Sequence, residues 1–242
     1  MKLQGRTAVV TGGTRGLGRA VAQALADEGA IVVAAARDMS PDPPDQGGRI
    51  VHVKADVTVP QSVASLMRTT HERYGGPHIV VANAGVSRPG PVSVLAAEDW
   101  DAVIGTNLTG VFHTVREAVP YLGQAGAGRV ITVSSLLGRR AMPGAAAYCA
   151  SKAAVERFTE VCALELAPRG ITVNCLAPGF IQEGQGRALM ANETLWSRLQ
   201  GTMATGRPGT GDEVARAAVF LASTESSYVN GAVLPVDGGV RW

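Results

Sequence analysis

Short runs of β-branched and apolar residues alternate with longer helical patterns along almost the whole chain. The strand-like runs occupy residues 7–11, 31–35, 50–54, 78–82, 129–133, 171–176 and 232–236, and the helical patterns occupy residues 17–28, 60–74, 97–123, 147–167 and 212–222. Several strand-like runs are apolar throughout, as expected for parallel strands covered on both faces. The alternation therefore predicts an α/β fold, a doubly wound parallel sheet of seven strands with helices on both faces.

Charge and length limit the class of protein. The 242 residues carry 22 basic and 20 acidic side chains, so no strong field of either sign points to a nucleic-acid partner. The longest apolar run, residues 30–36, is too short to cross a bilayer, and residues 1–6 lack the apolar stretch of a secretion signal. No repeat or interior linker divides the chain. We predict one domain over residues 1–242, in a soluble, cytoplasmic protein.

The cysteines and histidines do not follow a metal-ligand pattern. Cys149, Cys162 and Cys175 are 13 residues apart, and their odd number argues against a disulfide framework. The histidines are scattered along the chain without the spacing of a zinc site. We predict no metal site.

A glycine-rich turn follows the first strand and opens the first helix. It reads Thr-Gly-Gly-Thr-Arg-Gly-Leu-Gly over residues 11–18. Glycines at such a junction let the backbone approach a pyrophosphate closely, and the helix N-terminus supplies free N–H groups and a favourable dipole. The turn predicts a dinucleotide site in a Rossmann-type sheet.

Tyr148 and Lys152 lie four residues apart in a helical pattern and are therefore expected on one helix face. An ammonium about 4 Å from the phenol favours the anion by roughly 4 kcal/mol at an effective dielectric of about 20. We expect Lys152 to lower the pKa of Tyr148 toward neutrality, where general acid–base catalysis is most effective. On its own, such a pair is more often part of a solvated helix face, since short motifs recur by accident.

Together, the ordered motifs resemble the short-chain dehydrogenase/reductase family in its shorter form, over essentially the whole chain. Besides the glycine turn and the Tyr-x-x-x-Lys pair, the resemblance rests on Asp56-Val57, Asn83-Ala84-Gly85, Asn107 within Asn-Leu-Thr-Gly-Val-Phe, Ser135 placed 13 residues before Tyr148, Pro178-Gly179, and Val236-Asp237-Gly238-Gly239. Ala82 departs from the pattern, because it replaces the first asparagine of the family's Asn-Asn-Ala-Gly signature.

The resemblance implies an oxidoreductase with four catalytic residues. In such enzymes the counterpart of Tyr148 exchanges a proton with the substrate oxygen, and that of Lys152 lowers the tyrosine pKa and binds the nicotinamide ribose. The counterpart of Ser135 hydrogen-bonds the substrate oxygen, and that of Asn107 holds a water that relays protons to the lysine. Ser134 is a competing serine, one residue out of spacing.

The resemblance also implies a set of cofactor-binding residues near the carboxyl ends of the strands. They are Gly12, Thr14, Arg15, Gly16, Leu17, Gly18, Arg37, Asp56, Val57, Asn83, Ala84, Gly85, Tyr148, Lys152, Pro178, Gly179 and Ile181. Glu183 stands where the family commonly has a threonine. It puts a negative charge near the nicotinamide, so either the loop lies differently or Glu183 points outward, and the contact of Ile181 stays open.

The end of the second strand indicates which cofactor is bound. NAD-selective sites place a carboxylate there to bind the ribose 2′-hydroxyl, whereas this chain has Ala36 followed by Arg37. Arg15 in the glycine turn can reach the same 2′-phosphate. We expect NADP(H) to be favoured over NAD(H), although Asp38 could pair with Arg37. The crossover 37–48 contains three prolines and two glycines and is predicted to be a loop.

The resemblance is greatest to 3-oxoacyl-acyl-carrier-protein reductases, which implies NADPH-dependent reduction of a carbonyl, such as that of a 3-oxoacyl thioester. One alternative is a dehydrogenase of a secondary alcohol, sugar or cyclic diol. Another is a non-catalytic nucleotide sensor, although such proteins usually lack the tyrosine or the lysine. Residues 184–203 are expected to form a mobile substrate lid.

Carrier docking and assembly also follow from the resemblance. Arg169 matches one of two arginines that dock an acidic carrier, but the other position is Gly126. Arg139 and Arg140 are candidates to recruit an acidic carrier, coenzyme A phosphates or a carboxylated substrate, or they are solvated loop residues. We expect a homotetramer or homodimer that packs through helices 97–123 and 147–167.

Overall fold

Seven parallel strands form one sheet in the computed structural model of the chain, which describes residues 1–38, 48–123 and 127–241. The strands are β1 (Thr7–Thr11), β2 (Ile31–Ala36), β3 (Ile50–Lys54), β4 (Ile79–Ala82), β5 (Gly128–Val133), β6 (Ile171–Pro178) and β7 (Val233–Val236). Their order is β3-β2-β1-β4-β5-β6-β7, so the direction of winding reverses between β1 and β4. Ligands of such sheets bind at the carboxyl ends of the strands near this reversal. The predicted fold is confirmed.

Two helical layers cover the sheet. The helices are α1 (Gly16–Asp27), α2 (Pro60–Tyr74), α3 (Ala97–Ile104), α4 (Gly110–Leu122), α5 (Ala146–Leu166), α6 (Gln185–Met190), α7 (Glu193–Leu199) and α8 (Gly211–Ala222). Alternate residues of each strand enter opposite cores, so Val10 packs with α1 and α8 whereas Val9 packs with α2, α4 and α5. Burial on both faces explains why these strands are apolar throughout.

The helix predicted over residues 97–123 is interrupted. A π-helical turn, Gly105–Thr109, separates α3 from α4 and contains Asn107. Such turns are rare and frequently occur at functional sites. Sequence periodicity did not reveal this interruption, because the flanking residues keep a helical pattern through it.

Some predictions fall on residues that the structure does not describe. Within the crossover loop predicted at 37–48, positions 39–47 lie outside the described residues, as does Gly126. The segment expected to be a lid contains the short helices α6 and α7. In the described ranges, no helix is long and apolar enough to span a membrane.

Candidate active site

Helix α5 places Tyr148 and Lys152 beside the carboxyl end of β5. Lys152 is 3 % exposed, and its Nζ donates a hydrogen bond of 2.8 Å to the carbonyl of Val133, the last residue of β5. The same Nζ lies 5.6 Å from the centroid of the Tyr148 ring. The predicted pair therefore shares one helix face, and the lysine ammonium is hydrogen-bonded to the sheet rather than exposed to solvent.

The two serines after β5 have different surroundings. Ser135 begins a short 3₁₀ turn, and its Oγ accepts a hydrogen bond from the N–H of Leu137. The Ser135 side chain also lies near enough to Tyr148 to lower the pKa of the phenol. Ser134 Oγ instead donates to the carbonyl of Lys152 and to Glu156 Oε1, both at 3.0 Å. Only Ser135 therefore faces the tyrosine hydroxyl.

Asn107 is fully buried and held on both sides of its amide. Its Oδ1 accepts from the N–H of Val86 at 2.8 Å, and its Nδ2 donates to the Val86 carbonyl at 3.0 Å and to Ser151 Oγ at 3.2 Å. Ser151 Oγ donates in turn to the carbonyl of Tyr148. These bonds attach the π-helical turn both to α5 and to the loop after β4.

The expected lowering of the Tyr148 pKa by Lys152 is not seen in this arrangement. Burial raises the pKa of Tyr148, and this effect exceeds the lowering by the Ser135 side chain. Burial also lowers the pKa of Lys152 to about 8. The ammonium does not dominate because Lys152 Nζ bonds to a backbone carbonyl rather than to the phenol. Tyr148 is therefore protonated at neutral pH.

The glycine turn leaves no room for side chains on its inner surface. Gly12 has φ +65°, and a Cβ there would lie 3.0 Å from both Ala84 Cα and Asn83 Nδ2. A Cβ on Gly18 would collide with the Gly12 carbonyl. Asn83 Nδ2 donates to the carbonyls of Thr11 and Gly12 and so joins this turn to the loop after β4. The bare backbone at the start of α1 fits a dinucleotide pyrophosphate.

The remaining predicted residues of the glycine turn and the loop after β4 lie at the same edge. Thr14 is buried, Leu17 is partly buried and Arg15 is exposed immediately before α1. A Cβ on Gly85 would lie 3.6 Å from Lys152 Nζ. This glycine therefore lies between the predicted catalytic pair and the glycine turn, residues 11–18, which we call the cradle.

The corner at the carboxyl ends of β2 and β3 contains two carboxylates and one exposed arginine. Asp56 Oδ1 accepts from the N–H and hydroxyl of Thr58. Burial raises the pKa of Asp56, but the Thr58 hydrogen bonds and Arg37 together outweigh it and lower that pKa. Arg37 forms an ion pair with Asp38 at 3.2 Å, and both side chains are largely exposed. The buried side chain of Val57 completes this corner.

Beyond β6 the chain turns over the cradle. A Cβ on Gly179 would lie 2.6 Å from Asp237 Cα, so only glycine fits after Pro178. Gly209 bonds with Phe180 and Gln182, which leaves the N–H and carbonyl of Ile181 on the opposite side of the chain.

Glu183 does not point outward, which was one of the two alternatives expected for this position. Its carboxylate lies against Gly211, the first residue of α8, where the helix dipole favours negative charge. Its Oε2 is buried and has no hydrogen-bond partner among the described residues.

An apolar wall includes the ring of Tyr148 and the two residues that follow Ser135. It consists of Leu136, Leu137, Met142, Ala145, Tyr148, Cys149, Phe180, Leu189, Trp196, Leu199, Met203 and Val240. Three of these residues belong to α6 and α7, and Phe180 packs edge-on against Trp196 at 5.9 Å. Gln185 Nε2 also donates to the carbonyl of Gly85. The segment expected to be a lid therefore packs against Phe180 and bonds to the loop after β4.

The arginines considered for carrier docking bond within the chain. Arg139 pairs with Glu156 at 2.7 Å, Arg140 donates to the Val240 carbonyl, and Arg169 donates to the Val119 carbonyl. Arg139 and Arg140 are therefore not simply solvated loop residues, because each bonds to a partner within the chain.

Comparison with known proteins identifies the family. The family model described as "Enoyl-(Acyl carrier protein) reductase" matches residues 12–241. The chain is 38% identical over 250 residues to a 3-oxoacyl-[acyl-carrier-protein] reductase of Thermotoga maritima, with 99% of each chain covered. It is 35% identical over 249 residues to the Escherichia coli reductase of the same name, again with 99% of each covered. The chain belongs to the short-chain dehydrogenase/reductase family.

Solved structures agree with this assignment. A gluconate 5-dehydrogenase of Burkholderia cenocepacia, solved with NADP and tartrate, superposes with a TM-score of 0.93 at 34% identity and covers 98% of this chain and 96% of that one. The short-chain dehydrogenase/reductase family consists of oxidoreductases that bind a nicotinamide cofactor, so this chain is an enzyme of that kind. In the described part of the chain, no cluster of His, Cys, Asp or Glu could hold a metal.

Sequence inspection missed several residues that build this short-chain dehydrogenase/reductase site. Thr11 Oγ1 accepts from the N–H groups of Asn83 and Ala84, and Ser151 links Asn107 to α5. Ser151 lies three residues after Tyr148 and so near its helix face, which was an available signal. The members of the apolar wall come from distant segments, and no local pattern connects them.

Lys152 is expected to make stability depend on pH. Its pKa is about 8 in the folded protein, against 10.5 for the free side chain. Between these values the unfolded chain binds more protons, so stability rises with pH. From pH 7.5 to 9.5 the wild type should gain about 2 kcal/mol in the free energy of unfolding relative to Lys152→Met, as measured by urea denaturation.

Lys54→Met is the matched control, because Lys54 is exposed on β3. It should leave the pH dependence of the wild type unchanged. If the free energy of unfolding of Lys152→Met depended on pH as that of the wild type does, the pKa of Lys152 would not be lowered by folding.

Proposed function

We propose that the protein is an NADPH-dependent reductase that converts a carbonyl carrying an apolar group into a secondary alcohol. A 3-oxoacyl thioester is one candidate substrate. The observation that carries this proposal is the apolar wall, which packs against Tyr148 and begins directly after Ser135. Such a wall favours an alkyl or acyl chain and provides little to hydrogen-bond a polyol.

The site residues have complementary roles in this reaction. Bound NADPH supplies the hydride for the carbonyl carbon. Ser135 hydrogen-bonds the carbonyl oxygen as its negative charge develops. Tyr148 donates its proton to that oxygen, and its raised pKa keeps it protonated and ready to do so. Lys152 and Asn107 then return a proton from solvent to the tyrosine.

The cofactor proposal rests on charge at the end of β2. Ala36 provides no carboxylate to bind the ribose hydroxyls, whereas Arg37 and Arg15 are both exposed there. Asp38 holds Arg37 in an exposed ion pair, which is worth little in free energy. A doubly charged 2′-phosphate competes well for such a guanidinium.

The second candidate is oxidation of a secondary alcohol such as a sugar acid. The gluconate 5-dehydrogenase named above, with a bound NADP, favours it. Tyr148 would then have to be deprotonated to accept the proton of the alcohol, which its raised pKa disfavours. In the described ranges, each arginine considered for a carboxylated substrate already has a partner within the chain.

A substrate panel tests the proposal. Purified protein is assayed with 2-alkanones, 3-oxoacyl thioesters and sugar acids, and NADPH or NADP⁺ is followed by absorbance. For 2-alkanones, kcat/KM should rise by up to about fourfold per added methylene, because burying each CH₂ yields about 0.8 kcal/mol. Tyr148→Phe should remove most turnover but still bind NADPH. Preference for sugar acids would support the second candidate, and binding without turnover would point to a sensor.

Arg37→Ala tests cofactor choice. It should raise KM for NADPH about 10- to 100-fold, as expected for loss of hydrogen bonds to a charged group, and change KM for NADH less than threefold. Arg73→Ala is the control, since α2 carries that exposed arginine to the opposite edge of the sheet. Wild-type kcat/KM with NADH equal to or above that with NADPH would contradict the preference.

The remaining expectations are a lid over residues 184–203, a cytoplasmic location and a homotetramer or homodimer. Val161 and Leu164 support assembly through α5, because they are 45% and 79% exposed. Light scattering should give the mass of a dimer or tetramer. Leu164→Glu should reduce it, whereas Val94→Glu, on an exposed loop, should not. A monomeric wild type would contradict this expectation.

A further inference from the structure

Helix α5 carries a third functional side chain on the face that holds Tyr148 and Lys152. Glu156 lies one turn beyond Lys152, so the spacing i, i+4, i+8 keeps the three residues on one face. Its side chain is only 10% exposed. A buried carboxylate is costly unless it is paired and hydrogen-bonded, so its partners indicate what it does.

The partners of Glu156 all belong to the segment that carries the catalytic serine. Oε1 accepts from Ser134 Oγ at 3.0 Å, and Oε2 accepts from Arg139 Nε at 2.7 Å. These two residues flank the 3₁₀ turn that Ser135 caps. The carboxylate therefore holds the segment at both ends and leaves Ser135 between them.

Close packing adds to these hydrogen bonds. A Cβ on Gly138 would lie 2.6 Å from both Glu156 Oε1 and Ser134 Oγ. The turn thus lies directly on the carboxylate. Ser134 Oγ also reaches the carbonyl of Lys152, so the same contact joins the serine segment to the helix turn that presents the lysine.

We propose that Glu156 is a positioning residue, which fixes Ser135 relative to Tyr148 by holding residues 134–139 against α5. The inference rests on the proposed function, because the position of Ser135 affects turnover only if Ser135 takes part in the reaction. Glu156 itself is assigned no contact with the substrate. An error of about 1 Å between reacting groups can reduce turnover about 100-fold. Loss of the carboxylate should therefore affect kcat more than cofactor binding.

The test compares Glu156→Ala and the isosteric Glu156→Gln with Glu165→Gln, an exposed glutamate on the same helix. Glu156→Ala should lower kcat about 10- to 100-fold and change the NADPH dissociation constant less than twofold. Glu156→Gln keeps the shape and one acceptor and should retain more activity. Adding Ser134→Ala to Glu156→Ala should cause no further loss, since both act through one contact.

Hydrogen exchange provides a readout that does not depend on turnover. The N–H groups of Leu137, Gly138 and Arg139 are bonded within the turn, and they should exchange faster in Glu156→Ala than in the wild type or Glu165→Gln. Unchanged exchange, or a kcat within twofold of wild type, would overturn the positioning role. A wild type without turnover would contradict the proposed function, whereas exchange would still report whether Glu156 holds the turn.

Discussion

Burial of Lys152 against the end of β5 is the contact on which the rest of the site depends. Its hydrogen bond to the Val133 carbonyl fixes the rotation of α5 on the sheet. Tyr148, one turn earlier, is thereby directed at Ser135, and Glu156, one turn later, at the serine segment. A buried cation is unfavourable, as its lowered pKa indicates. We infer that this cost is tolerated because it sets the geometry of the reacting groups.

Charge and apolar surface are separated across the site. The nucleotide side presents bare backbone, the start of α1 and exposed arginines, which suit phosphates. The side proposed for the substrate presents aliphatic and aromatic side chains that pack with Tyr148 and directly follow Ser135. The fold alone does not determine the function, because this sheet supports many reactions. The substrate proposal therefore rests on the wall and not on the sheet.

The sheet could be predicted from sequence because its signals are local, since short apolar runs mark the strands. Tyr148 and Lys152 are close along one helix, whereas Ser135 and Asn107 were predicted only from the resemblance to the family. The π-helical turn at Asn107 was missed, since the helical pattern continues through it and Asn107 bonds to Val86, 21 residues away. The partners of Arg139 and the inward orientation of Glu183 also arise from contacts between distant segments. The raised pKa of Tyr148 depends on burial, which helical spacing does not reveal.

The most direct measurement is isotope transfer from reduced cofactor to product. NADPH with deuterium at both C4 positions is incubated with the enzyme and a 2-alkanone, and the alcohol is analysed by mass spectrometry. Hydride transfer onto the carbonyl carbon predicts one deuterium on that carbon in every turnover, with the hydroxyl proton coming from solvent through Tyr148. An alcohol without deuterium, or nucleotide that keeps both labels, would contradict the account.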